Sequence, residues 1–275
     1  MMNTKEFLGK LLGTFLLVLF GCGSVAVAVL FGEYNSILQI GVVWGFGVML
    51  AIYLTRHLSC AHLNPAVSIA MVLSKRMKAR KLPSYLLAQF VGAFIAGWMV
   101  FLLFSPSIEY YEAANSIVRG TPASVDTARM FGEFYPNPGA GAVVSMPLAI
   151  LAEAFGTFLL VLLIFSLTEG CNVGRPSDTM APVFIGLTVT SIICLVAPLT
   201  QAGLNPARDF GPRLVAWMTG WGKAAFPDTN GGFFFVYIFA PIIGGIIATL
   251  FFVYILEPVI KKQPDHVIAK NKNKV

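Results

Sequence analysis

Leu63-Asn64-Pro65-Ala66 and Leu204-Asn205-Pro206-Ala207 are the same four letters, 141 positions apart. Each opens a short apolar stretch, Pro65 to Leu73 in one case and Pro206 to Met218 in the other. Asn is a favoured N-cap. Pro is favoured at the first helical position, where its missing N–H costs nothing. Both stretches therefore read as helix starts. Neither helix is long enough to cross a bilayer, which takes about 20 apolar residues. A lone tripeptide of this kind carries a high false-positive risk; its recurrence is what gives it weight.

A second match supports the first. Gly13-Thr14-Phe15-Leu16-Leu17-Val18-Leu19 recurs letter for letter at Gly156-Thr157-Phe158-Leu159-Leu160-Val161-Leu162, 143 positions later. Two matches in the same order at nearly the same offset mark an internal duplication. Six longer apolar segments lie at roughly 7–31, 37–56, 84–104, 147–168, 180–199 and 233–256, each long enough to span a bilayer. Three spans per half is an odd number, so the halves run in opposite directions. That is an inverted repeat, with the solute path at the repeat interface. The expected fold is an all-α membrane protein with six transmembrane helices and two re-entrant half-helices. Its parts are repeat one (7–104), an outer loop (105–145) and repeat two (147–256). They form one channel domain over 1–258, followed by a basic tail at 259–275.

Composition agrees. Hydrophobic residues make up 57% of the chain and charged residues 12%, about half the share in a soluble domain. The net charge of +6 is concentrated. Five of the seven residues from Lys75 to Lys81 are basic, the segment from Lys261 to Lys274 is basic, and Lys5 and Lys10 lie near the start. Each run borders an apolar segment, so the pattern reads as positive-inside bias and not as nucleic-acid binding. Both termini and residues 75–81 are then cytoplasmic, and the lipid partner is a cell (plasma) membrane. The 105–145 segment lies outside and is long enough to pack on the outer face. It carries Glu109, Glu112, Asp126 and Glu133 against Arg119 and Arg129. The first apolar run, Leu11 to Phe31, is longer than a signal-peptide core and reads as a retained span. Cys22, Cys60, Cys171 and Cys194 show no paired spacing, so no disulfide framework, metal site or cofactor is expected.

Irregular backbone at membrane depth is tolerated where it is buried or lines a water-filled cavity. Two half-helices meeting N-terminus to N-terminus satisfy that condition. Each N-terminus carries about half a positive charge, and the pair repels cations and protons. Each Asn oxygen can cap its own helix, leaving the amide NH₂ of Asn64 or Asn205 to donate into the pore. A water held by its oxygen cannot accept a proton. Arg208 is a charge at membrane depth, a functional candidate by default. Asp209 beside it is either its counter-ion or a partner of the half-helix N-terminus. Glu153, inside the fourth span, is expected to accept backbone N–H groups of a re-entrant loop. His62 is either pore-lining or a packing residue.

The segments Ala61-His62-Leu63-Asn64-Pro65-Ala66-Val67 and Gly203-Leu204-Asn205-Pro206-Ala207-Arg208-Asp209-Phe210-Gly211-Pro212 resemble the major intrinsic protein family, over about residues 7–256. The Asp after the Arg is similar to the glycerol-facilitator (aquaglyceroporin) branch. So are Ile117-Val118-Arg119-Gly120, Tyr135-Pro136-Asn137-Pro138 and the stretch from Ala216-Trp217 to Trp221-Gly222. The resemblance implies a homotetramer with one pore per protomer. It implies an outer constriction at Trp44, Ile193, Ala202 and Arg208. Trp44 and Arg208 match the branch; Ile193 and Ala202 replace its usual Gly and Phe, giving a more aliphatic filter. Lys10 stands where the family has Glu, so the first re-entrant loop needs a different acceptor or help from Glu6. Glycerol is the first solute implied, with some water. Neutral lactic acid or another small uncharged solute comes second, and an orthodox water channel, which would carry His at position 193, third. An ion-coupled transporter would need more ionisable groups along its spans than Glu153 and Arg208. No nucleophile–base constellation marks an enzyme, and the three histidines are His57, His62 and His266. A purely structural membrane protein would leave Arg208 and the paired half-helices without purpose.

Overall fold

In the computed structural model, residues 3–34, 36–227 and 231–262 are described. Helix α1 (Thr4–Phe31) is capped by the Asn3 side chain and ends at Gly32 in the left-handed region, φ 66°. Helix α2 (Ile37–Ser59) opens on a reciprocal Ser36/Gln39 capping box. The short α3 (Pro65–Leu73) follows, then α4 (Leu82–Ala114), a turn of helix α5 (Val125–Ala128), α6 (Met146–Thr168) and α7 (Ala181–Thr200). The second short helix is α8 (Pro206–Ala216). The last long segment, Phe234–Lys261, contains α9 (Ala240–Phe251) and α10 (Glu257–Lys261) joined by π-helical turns. Among the described residues, six helical segments are long and apolar enough to span a membrane. Many of their large apolar side chains face outward, such as Leu102 and Leu103, each 62% exposed. This is the surface expected of a chain solvated by lipid.

The packing pattern is an inverted repeat. Helix α1 packs on α2 and α4, as α6 packs on α7 and α9. Each short helix crosses to the other half: α3 lies against α9, and α8 against α4. Helices α2 and α7 meet at the junction of the halves. The symmetry extends to atoms. A Cβ on Gly92 of α4 would run into the backbone of Leu11, and one on Gly244 of α9 into the backbone of Ala154. Leu11 and Ala154 are equivalent at the 143-residue offset of the heptapeptide.

Several boundaries differ from expectation, including the start of α1 at Thr4 and the end of α2 at Ser59. Helix α4 continues ten residues past 104, through Pro106, because Ile108 and Glu112 are buried under the outer loop. The second short helix ends at Ala216 and passes into a π-helical turn, Trp217–Trp221, where Gly220 has φ 110°. The final helix runs on to Lys261, beyond the expected domain end at 258. Most of the basic tail, including His266, lies outside the described residues.

Candidate functional site

The two Asn-Pro-Ala segments face each other. Asn64 has φ −147° and its Oδ1 accepts from Ala66 N at 2.8 Å. Asn205 has φ −146° and its Oδ1 accepts from Ala207 N and Arg208 N at 3.1 and 3.2 Å. Each amide then reaches across. Asn64 Nδ2 donates to Leu204 O at 2.8 Å, and Asn205 Nδ2 donates to Leu63 O at 3.0 Å. The amide is therefore not wholly free. One of its two N–H groups ties the halves together, and one remains for the cavity.

The chain enters both short helices through left-handed backbone at non-glycine residues. Cys60 and Ala61 have φ 53° and 40°; Gln201, Ala202 and Leu204 have φ 60°, 62° and 55°. Such residues cost about 1–2 kcal/mol each, so the surroundings must hold them. In the second loop Glu153 does so. It is fully buried and accepts from Gly203 N at 2.9 Å, Leu204 N at 2.7 Å and Thr200 Oγ1 at 2.6 Å. In the first loop the polarity is reversed. Lys10, also fully buried, donates from Nζ to Ser59 O at 2.5 Å and lies 4.6 Å from the Tyr85 ring centre. Gln89 Nε2 donates to His62 O and Ser68 Oγ, both at 2.9 Å. Glu6 is engaged elsewhere, with Lys81 Nζ at 2.6 Å and Tyr85 Oη at 2.8 Å. His62 lines the cavity and also packs: its Nδ1 is 2.9 Å from Ser68 Oγ and its ring stands 5.4 Å from Tyr85.

A cavity of about 360 Å³ runs between the halves. Its lining includes Arg56, Thr168 and Asp178 at one end, Asn64 and Asn205, and Trp44, Ile193, Ala202 and Arg208 at the other. Trp44 and Arg56 are twelve residues apart on α2, or about 18 Å at 1.5 Å per residue. An outer vestibule of about 350 Å³ shares Trp44 and Ile193 and adds Arg129, Glu133 and residues 137–140 of the outer loop. The passage is thus divided at Trp44 and Ile193. The Arg208 guanidinium lies over the Trp44 ring, 4.2 Å from its centre.

The charge pairing decides one of the two readings of Asp209. Asp209 is not the counter-ion of Arg208. It binds Arg213, one turn on, at 2.7 and 3.0 Å, and accepts from Glu133 N at 2.7 Å. The ion pair of Arg208 is with Glu133, from the outer loop. Arg213 is fully buried and donates to the carbonyls of Glu133 and Ala225. The sequence marks Glu133 only as one of the outer-loop acids and does not mark Arg213. The i,i+4 spacing of Asp209 and Arg213 signals their pairing. A buried Arg needs a carboxylate, which leaves the loop acids to supply one.

Fold and site define an inverted-repeat membrane protein with a divided passage between its halves. The description "Major intrinsic protein" fits residues 1–252. The chain belongs to that family. It is 43% identical over 246 residues to the glycerol uptake facilitator protein of Pseudomonas aeruginosa, covering 88% of this chain and 85% of that one. It is 40% identical over 243 residues to the propanediol uptake facilitator PduF of Citrobacter freundii, with 87% of each covered. The X-ray structure of the aquaglyceroporin from Plasmodium falciparum superposes with a TM-score of 0.80 at 26% identity, covering 94% of this chain and 99% of that one.

Proposed function

We propose that this chain is a passive channel for glycerol and similar small uncharged solutes, with some water, that excludes ions and protons and is not an enzyme. The observation that carries the reading is the cavity between the two capped half-helices. It combines aliphatic side chains such as Val48, Leu160 and Val189 with the polar groups of Asn64, Asn205 and Arg208. A polyol has both a carbon face and a hydroxyl face, and such a lining serves both. The relatives that are glycerol uptake facilitators favour a polyol over the neutral lactic acid that the filter residues alone leave open. The propanediol facilitator relative supports a second solute, a small diol.

In this reading Trp44, Ile193, Ala202 and Arg208 form the selectivity filter. Asn64 and Asn205, with the half-helix N-termini, hold water by its oxygen and block proton passage. His62, Glu153 and Asp209 support the loops. Residues 1–258 act as a single channel domain. The protein assembles as a homotetramer in the plasma membrane with both termini cytoplasmic; the basic cluster from Lys75 to Lys81 supports that orientation.

Stopped-flow light scattering on liposomes holding the full chain tests the function. Water, glycerol, urea and lactic acid at low pH are compared. Glycerol is expected to enter faster than into empty liposomes; if none of the four solutes enters faster than into empty liposomes, the channel reading is overturned.

A further inference from the structure

We propose that Glu133 is a fifth specificity-determining residue of the constriction, forming with Arg208 a charge-compensated donor–acceptor site for the hydroxyl groups of a polyol. The inference rests on the glycerol reading and adds to it a residue and a mode of recognition.

Three observations carry it. The first is position. Glu133 lines the outer vestibule, Arg208 lines the inner cavity, and their ion pair bridges the division at Trp44 and Ile193. The second is fixation. The Glu133 N–H donates to Asp209 Oδ1 at 2.7 Å, and its carbonyl accepts from Arg213 Nη2 at 2.5 Å. The half-helix α8 therefore sets where this acid stands. It is 1% exposed, unlike an ordinary loop carboxylate.

The third is an unmet demand. Glu133 Oε2 and Arg208 Nη1 are buried and make no hydrogen bond among the described residues. An unpaired buried polar atom costs about 1–3 kcal/mol, more when charged. Each belongs to the same carboxylate or guanidinium that forms the ion pair, so the two lie close together. One is an acceptor and the other a donor. A hydroxyl satisfies both kinds: its oxygen accepts from Nη1 and its proton goes to Oε2. Adjacent hydroxyls of a polyol can take one each.

The pairing also changes what the constriction rejects. A lone buried guanidinium attracts anions and holds them. Here Glu133 cancels that charge and places a carboxylate at the outer approach, so anions neither enter nor block. Glycerol flux through the natural chain should be indifferent to anions outside.

The test uses the full chain in liposomes at neutral pH, with glycerol and water fluxes measured with and without external sodium lactate. For the unaltered chain, lactate is expected to leave glycerol flux unchanged. Glu133→Gln keeps the shape but removes the charge. Its glycerol-to-water flux ratio is expected to fall about three- to tenfold, the gap between a charged and a neutral acceptor. Its glycerol flux should also become inhibitable by lactate, which a merely structural role for Glu133 would not produce. An unchanged ratio with no inhibition overturns the proposal. If the variant carries no water and so has not folded, the unaltered chain still decides: inhibition by lactate overturns the proposal. Absence of glycerol flux in the unaltered chain would instead overturn the channel reading on which it rests.

Discussion

Glu153 holds the second re-entrant loop through three hydrogen bonds, and Lys10 holds the start of the first through one. Glu153→Ala leaves three donors to find other partners, at about 1–3 kcal/mol for each that stays buried and unpaired. Its thermal midpoint in detergent is expected to fall well below that of Lys10→Met, and equal midpoints would contradict this account. At the proposed filter of Trp44, Ile193, Ala202 and Arg208, Ala202→Phe combined with Ile193→Gly is expected to raise the flux of glycerol relative to lactic acid. No change in that ratio in the liposome assay would sink the assignment of these four residues. The acceptor role of Glu153 follows from a carboxylate inside an apolar span, which must find donors. The partner of Arg208 does not follow so easily, because it comes from a loop 75 positions earlier in the chain. The repeated heptapeptide also gains a cause at this scale. A Cβ on Gly13 would come within 2.5 Å of Leu63 Cδ2, and one on Gly156 within 2.6 Å of Leu204 Cδ2. Both glycines face the leucine that precedes an Asn-Pro-Ala segment, so the two sequence repeats are two sides of one contact.

Among the elements, helix starts were more legible than helix ends. Asn64, Asn205 and Ser36 are cap letters, and each caps a helix through its side chain. The end of α4 is not written in hydropathy. Its last turns are held by Glu112, which accepts from Arg119 at 2.7 Å and from Thr127 Oγ1 at 2.7 Å. Those are tertiary contacts that an apolar count cannot register. The paired close approaches at Gly92 and Gly244 make an element-scale prediction. Gly92→Leu should separate α1 from α4, and Gly244→Leu should separate α6 from α9, because backbone stands where the side chain would go. Overpacking of this kind costs about 1–3 kcal/mol or more. Both variants are expected to give markedly less folded protein by size-exclusion chromatography, to similar degrees. A normal yield from either would show that the helices can move apart.

For the whole molecule, the two recurring segments and the odd number of spans per half make the inverted repeat legible. Direction across the membrane rests on where the basic residues lie. Arg76 pairs with Glu169 at 2.5 Å and approaches Glu257 at 3.8 Å. This joins the connections after α3 and α6 to the start of α10, three places that share the cytoplasmic face in the expected orientation. A membrane-impermeant thiol reagent applied to intact cells should label Ser116→Cys and not Lys75→Cys, in a chain whose Cys60, Cys171 and Cys194 are replaced. The opposite pattern would invert the orientation.

Lys10 and Glu153 occupy equivalent positions, 143 residues apart, with opposite charge. Each serves the loop of its own half: Lys10 binds Ser59 O, and Glu153 binds Gly203 N and Leu204 N. Exchanging the two side chains alone would set a carboxylate beside a carbonyl in the first half and leave the second loop's amides facing an ammonium. Exchanging whole halves would instead carry each residue along with the loop it holds, so the matched unit is the half and not the single position.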